Sequence, residues 1–163
     1  MDDHDRLLST RGVDAAPKMG VYMRHRGYEP ARVLSSTARR TKETLKLLIP
    51  ALKHTPQIRY TRRLYLAEWP HLLEEVRKAQ PDASPLLVVG HNPGLRQLAL
   101  ALSLQPRGIA EQARTQDLAQ KFPTCALAVF DFEVEGWRLV KPGAGRLVDY
   151  VRPRDLPAHG MAP

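Results

Sequence analysis

The run Leu86-Leu87-Val88-Val89 is unbroken by any polar residue and passes directly into Gly90-His91-Asn92-Pro93-Gly94. A continuous aliphatic run bounded by turn residues predicts a strand buried on both faces, as in a parallel sheet. Apolar residues then recur at helical spacing from Leu95 to Leu102. The same strand, turn and helix order is found elsewhere in the chain. Ser9 or Thr10 can cap a helix to about Arg26, with Ala16, Met19, Gly20 and Met23 on its apolar face and Gly27 as its stop. Arg32-Val33-Leu34-Ser35 predicts a short strand, and a helix from about Ala38 to Leu48 follows it, closed by Pro50. Gln57 to Tyr60 reads as a strand and Leu64-Tyr65-Leu66 as a bend or short segment. Pro70 opens a helix through Leu72, Leu73 and Val76 to about Ala79. Gln105 to Lys121 is polar and reads as a loop or broken helix over the site. Ala126 to Phe132 and Trp137 to Val140 flank Glu135-Gly136, the pattern of a β-hairpin. Beyond Val151, the residues Pro153, Pro157 and Pro163 suggest an extended tail from about 152. Strands alternating with helices, with no internal repeat, predict a single α/β domain over residues 1–163, a mostly parallel central sheet flanked by helices.

Composition narrows the function classes. A hydrophobic fraction of 43% is that of a globular chain. No apolar run is long enough to span a membrane, and the start, Met1-Asp2-Asp3-His4-Asp5, is too acidic and polar for a signal peptide as written. The single cysteine, Cys125, cannot form an internal disulfide, which fits the cytoplasm. The net charge of +8 points to anionic partners. Basic residues are scattered, in pairs no longer than Arg39-Arg40 and Arg62-Arg63, and no aromatic cluster lies among them. Nucleic acid is therefore not the expected partner, and a phosphate-bearing substrate is. No His, Cys or carboxylate cluster has ligand spacing, so neither a metal nor another cofactor is expected.

Two segments carry candidate chemistry. His91 follows the Leu86 strand, and ligands of open α/β sheets bind just beyond the carboxyl ends of strands. Leu34-Ser35-Ser36-Thr37-Ala38-Arg39-Arg40-Thr41 repeats the design one strand earlier. There a helix N-terminus offers unpaired N–H groups to an anion, Ser36 can cap it, and an arginine in the first turn can add a planar fork of donors. Either segment alone is as well explained by an ordinary strand end or surface arginine. Together, at the ends of two strands in a basic chain, they describe an anion site.

Ser36-Thr37-Ala38-Arg39-Arg40-Thr41-Lys42-Glu43-Thr44 and Val89-Gly90-His91-Asn92-Pro93 resemble segments of the histidine phosphatase superfamily, most closely its small SixA-type phosphohistidine phosphatases. Asp5-Arg6-Leu7-Leu8-Ser9-Thr10-Arg11-Gly12, Leu64-Tyr65, Phe122-Pro123-Thr124 and Trp137 add matches in the same order, with Leu8 where the family usually has proline. The resemblance implies a three-layer, phosphoglycerate mutase-like sandwich. It implies Arg40 as the phosphate-clamping arginine, Arg39 as a surface residue, and His91 as the second active-site histidine. Arg6 would lie at the pocket rim, and Ser36 and Asn92 complete the expected substrate-binding set. The substrate would be a phosphorylated histidine of a signalling or phosphotransfer protein, acted on by a cytoplasmic monomer.

The front of the chain departs from the family. Members open with a buried strand ending in Arg-His, whose histidine is the nucleophile, and the sequence from Met1 onward has no counterpart. That strand is expected between the strand ending near Ser35 and the one ending at Gly90. Arg24-His25-Arg26-Gly27 imitates the motif but lies at a helix end with His25 turned to solvent, and nothing ahead of His4 is expected to hold it. Two explanations follow: a start upstream that supplies the nucleophile, or a noncatalytic phosphate- or phosphoprotein-binding domain. A phosphatase of small phosphate esters is a third. The chain as written is expected to be poorly stable.

Overall fold

In the computed structural model, which describes residues 1–157, the Oγ of Ser9 accepts from the Gly12 N–H at 3.2 Å and opens helix α1 (Thr10–Arg26). Gly27, at φ +76°, closes it in the left-handed conformation that glycine adopts without penalty. Strand β1 (Arg32–Ser36) leads into α2 (Arg39–Leu48), β2 (Gln57–Thr61) into α3 (Trp69–Arg77), and β3 (Leu86–Val89) into α4 (Gly94–Leu102). The three strands form a parallel sheet in the order β2-β1-β3. Alternation along β3 shows the layering. Leu86 and Val88 pack on the cluster of Leu34, Leu72, Leu73, Leu98 and Leu102, under α3 and α4. Leu87 packs on the other side, with Met19, Met23 and Leu48 of α1 and α2.

The expected gap between β1 and β3 is not there. Arg32 pairs with Leu86 and Ser35 with Val89 in a direct ladder that leaves no room for another strand. The unpaired sides are elsewhere. Helix α5 (Gly108–Gln120) is followed by β4 (Leu127–Phe132) and β5 (Gly145–Val151), which pair with each other and antiparallel. Among the described residues, β3 and β4 each lack a strand on their second edge, and all residues of both line one cavity of about 1180 Å³.

Three other expectations are corrected. The partner of β4 is β5, not Trp137 to Val140. Trp137–Leu139 is a 3-10 turn, held because Trp137 Nε1 donates to Ala83 O at 2.9 Å and Arg77 Nε donates to Val140 O at 2.7 Å. The polar stretch read as a loop or broken helix is one unbroken helix over α5: Leu118 is fully buried, and Glu111 accepts from the Arg107 N–H and from Arg146 of β5. Pro153–Asp155 forms a further 3-10 turn in the tail expected to be extended, and residues 158–163 of that tail lie outside the described residues.

One close approach fixes the site. A Cβ on Gly94, the first residue of α4, would stand 2.1 Å from Ala67 O. Beside Ala67, Leu66 holds φ +51°, a conformation that costs an L-residue roughly 1–2 kcal/mol.

Candidate functional site

The carboxyl ends of β1 and β3 meet at Ser36 and His91. Ser36 is completely buried, and its Oγ accepts from the Ala38 N–H at 3.1 Å and shares a 2.8 Å hydrogen bond with His91 Nε2. The expected helix cap is therefore a histidine support. Ala38 stands at the cap position of α2 with no side-chain bond. Leu95 N–H donates to His91 O, tying the imidazole's own backbone into the start of α4.

Arg40 sits in the first turn of α2, with its side chain only 16% exposed. Its Nη1 donates to the Asp3 main-chain oxygen at 2.8 Å, and its Nη2 donates to Asp3 Oδ2 at 3.2 Å. The Tyr65 hydroxyl donates to the same Oδ2 at 2.5 Å, and Arg6 Nη2 lies 3.2 Å from Oδ1. The Tyr65 ring stands edge-on to His91, with centroids 5.4 Å apart, and to His4 at 4.8 Å. His4 Nε2 shares a 2.8 Å hydrogen bond with Thr37 Oγ1, so His4 is held in place, contrary to expectation. Asn92 Nδ2 donates to Phe122 O at 2.5 Å. Arg6, Arg40, His91 and Asn92 all line the β3–β4 cavity, as does Asp3. Arg39 points elsewhere, to Glu43, and its side chain is half exposed. His25 is exposed in the last turn of α1, two residues before its Gly27 cap.

Asp3, His4 and Tyr65 were not placed in the site from the sequence, where His4 was set aside as unsupported. They reach Arg40 and Thr37 across long stretches of chain, and an acidic N-terminus carries no periodicity that would point to such contacts. The Leu64-Tyr65 match was the one trace of the tyrosine.

Charge in the site is set by burial and by the arginine. Burial first, and then the Arg40 charge, push His91 down to about 4, so its imidazole is neutral at pH 7. The Tyr65 hydrogen bond, opposed by burial and joined by Arg40, holds Asp3 below the usual carboxylate range. A histidine that protonates more readily unfolded than folded stabilises the fold above its unfolded value near 6.5. That stability declines as pH falls towards 4. The expected size is about 2–3 kcal/mol over this window. Urea melts of wild type and His91→Gln at pH 7 and pH 4.5 measure it. Equal pH dependence in both proteins rejects the assignment.

Among the described residues no three His, Cys, Asp or Glu side chains converge in a metal-holding arrangement, and no helix is long and apolar enough to cross a membrane. No protein-family model matches the chain. An uncharacterized protein of Mycobacterium tuberculosis is 36% identical over 156 residues, covering 93% of this chain and 92% of its own length. An uncharacterized protein of Mycobacterium leprae is 34% identical, with 93% and 89% covered. Among solved structures, a provisionally assigned phosphohistidine phosphatase SixA of Nakamurella multipartitia superposes with a TM-score of 0.77 at 30% identity, covering 94% of this chain and 88% of its own. One from Agrobacterium tumefaciens gives 0.73 at 28% identity, covering 94% and 87%. The protein histidine phosphatase SixA complexed with tungstate, 19% identical, shares the fold with a TM-score of 0.73.

Proposed function

Because this chain belongs to the SixA-type histidine phosphatases, we propose that it removes phosphate from a phosphohistidine of a protein, with Arg40 and His91 holding the phosphoryl group. The observation that carries this reading is the opening of a first-turn arginine and a buried, neutral histidine onto one cavity at adjacent strand ends. Arg40 supplies fixed positive charge to the equatorial oxygens, where charge spreads in phosphoryl transfer. His91 has its Nε2 engaged with Ser36, which leaves Nδ1 for an oxygen of the substrate. Asn92 and Arg6 complete the binding set at the rim. The protein acts in the cytoplasm, as a monomer.

The reaction also needs a nucleophilic imidazole, phosphorylated first and then hydrolysed by water. In this reading the imidazole is carried by a further strand lying between β3 and β4, where both edges are open and the strand's end would emerge beside His91. A second reading rests on the two imidazoles the site does hold: each has its Nε2 tied to a hydroxyl, His91 to Ser36 and His4 to Thr37, and with both serving as fixed contacts and neither as nucleophile the domain binds without turnover.

The deciding experiment compares this chain with one extended ahead of Met1 by an apolar strand ending in Arg-His. Both are assayed on a phosphohistidine protein and on p-nitrophenyl phosphate. The extended chain is expected to hydrolyse phosphohistidine, and the shorter one to bind tungstate without turnover. Preference for the ester in the extended chain would replace the phosphohistidine assignment with a small-ester phosphatase. An extended chain that binds but turns over neither substrate favours the binding domain.

Binding a dianion beside His91 raises its proton affinity. Tungstate binding at pH 6 is therefore expected to take up a fraction of a proton, read by calorimetry in two buffers of different ionisation enthalpy. No uptake would remove His91 from contact with the anion.

A further inference from the structure

We infer that Asp3 is a positioning residue, which fixes the Arg40 guanidinium and the Tyr65 hydroxyl so that the arginine's remaining donors are set for a phosphoryl oxygen. The inference rests on Arg40 being the clamp. A guanidinium carries five N–H donors. Asp3 engages Nη1 through its main-chain carbonyl and Nη2 through its carboxylate, which leaves three donors for a substrate. Two acceptors from one residue on two different nitrogens set the rotation of the guanidinium plane as well as its position. A single ion pair sets neither. The same carboxylate oxygen takes the Tyr65 hydroxyl, and the Tyr65 ring abuts His91. Asp3 thus ties α2 to the turn after β2, whose Tyr65 ring in turn rests on His91 after β3.

The competing interpretation is that Asp3 is a stand-in anion that leaves when phosphate arrives. The attachments of its turn oppose this. The Asp2 carboxylate caps the turn by accepting from the His4 N–H, His4 is bonded to Thr37, and the Leu8 N–H donates to Glu43. One of the two contacts to Arg40 is made by main chain, which leaves only if the whole turn does. A displaceable counter-ion needs none of this anchoring.

Tungstate titration calorimetry on the wild type, Asp3→Ala and Asp3→Asn tests the inference, with thermal melts as the folding check and ¹⁵N spectra of the arginine side chains as the second readout. Asp3→Ala is expected to weaken tungstate at least tenfold and to average the Arg40 Nη signals, which are expected to be resolved in the wild type. Asp3→Asn keeps an oxygen acceptor and is expected to stay within threefold of wild type. Tighter binding by both variants would show a competing anion and overturn the inference. So would Asp3→Ala binding like wild type, or Asp3→Asn binding as weakly as Asp3→Ala, since charge rather than the hydrogen bond would then matter. Should Asp3→Ala not fold, averaged Arg40 Nη signals in the ligand-free wild type overturn it alone. A wild type that binds no tungstate removes the phosphate-site reading, and the inference falls with it.

Discussion

Arg40→Ala is expected to weaken tungstate and phosphate binding by about 100-fold, while its neighbour Arg39→Ala stays within twofold. Losing a charge-assisted, two-pronged contact costs about 2–3 kcal/mol. The direction is reinforced by what is left behind. Without Arg40, the Asp3 carboxylate keeps only Tyr65 and the exposed Arg6 as partners, and its charge then repels an entering anion. Arg39 makes its ion pair with Glu43 on the outer side of α2, so its removal costs the helix little. Titration calorimetry on both variants checks this. Equal losses would mean that the clamp has been assigned to the wrong arginine or that binding is diffuse electrostatics.

The second large effect concerns the open edges of β3 and β4. Backbone groups alternate sides along a strand, so about half of those in β3 and β4 are directed into the cavity between them, without a ladder partner. Each such group costs on the order of 1–3 kcal/mol where it is shielded from water. A domain of this kind has only about 5–15 kcal/mol in total. The chain as it stands is therefore expected to melt low and broadly, and to self-associate through those edges. Adding the apolar strand that ends in Arg-His should raise the midpoint by about 10–20 °C, at roughly 2–4 °C per kcal/mol for a chain of this size. Calorimetric melts and light scattering of the two forms measure it. A sharp melt in the shorter chain, unmoved by the extension, would show that the edges are already satisfied by water or by each other.

The parts of the fold legible in the sequence are those written in a single local pattern. β3 is an unbroken aliphatic run, α1 carries its serine cap and glycine stop, and α4 repeats leucines on one face. β5 was missed because a strong turn signal, Glu135-Gly136, came first and claimed β4's partner. What decides the matter is tertiary: Trp137 and Val140 are taken up by the core and by bonds to Ala83 and Arg77. The continuity of α5, read as a loop or broken helix, was hidden for a related reason. Its face against the domain depends on Leu118 and on charges paired with β5, not on an apolar stripe. At the site, Arg40, His91, Ser36, Asn92 and Arg6 could be named from motif segments. Which arginine bond each acceptor would take could not. Asp3, His4 and Tyr65 come from chain segments far from α2, and only folding brings them to Arg40 and Thr37.

The absent side chain at Gly94 has a mechanical consequence. With Ala67 O where a Cβ would stand, helix α4 and the bend at Leu66 touch backbone to backbone, and there is no slack between them. Tyr65 precedes that bend and His91 precedes that helix, so the two rings behave like parts bolted to a common bracket. The bend cannot lengthen or change course without carrying His91 with it. A methyl group at position 94 would knock the tyrosine and the histidine out of alignment together.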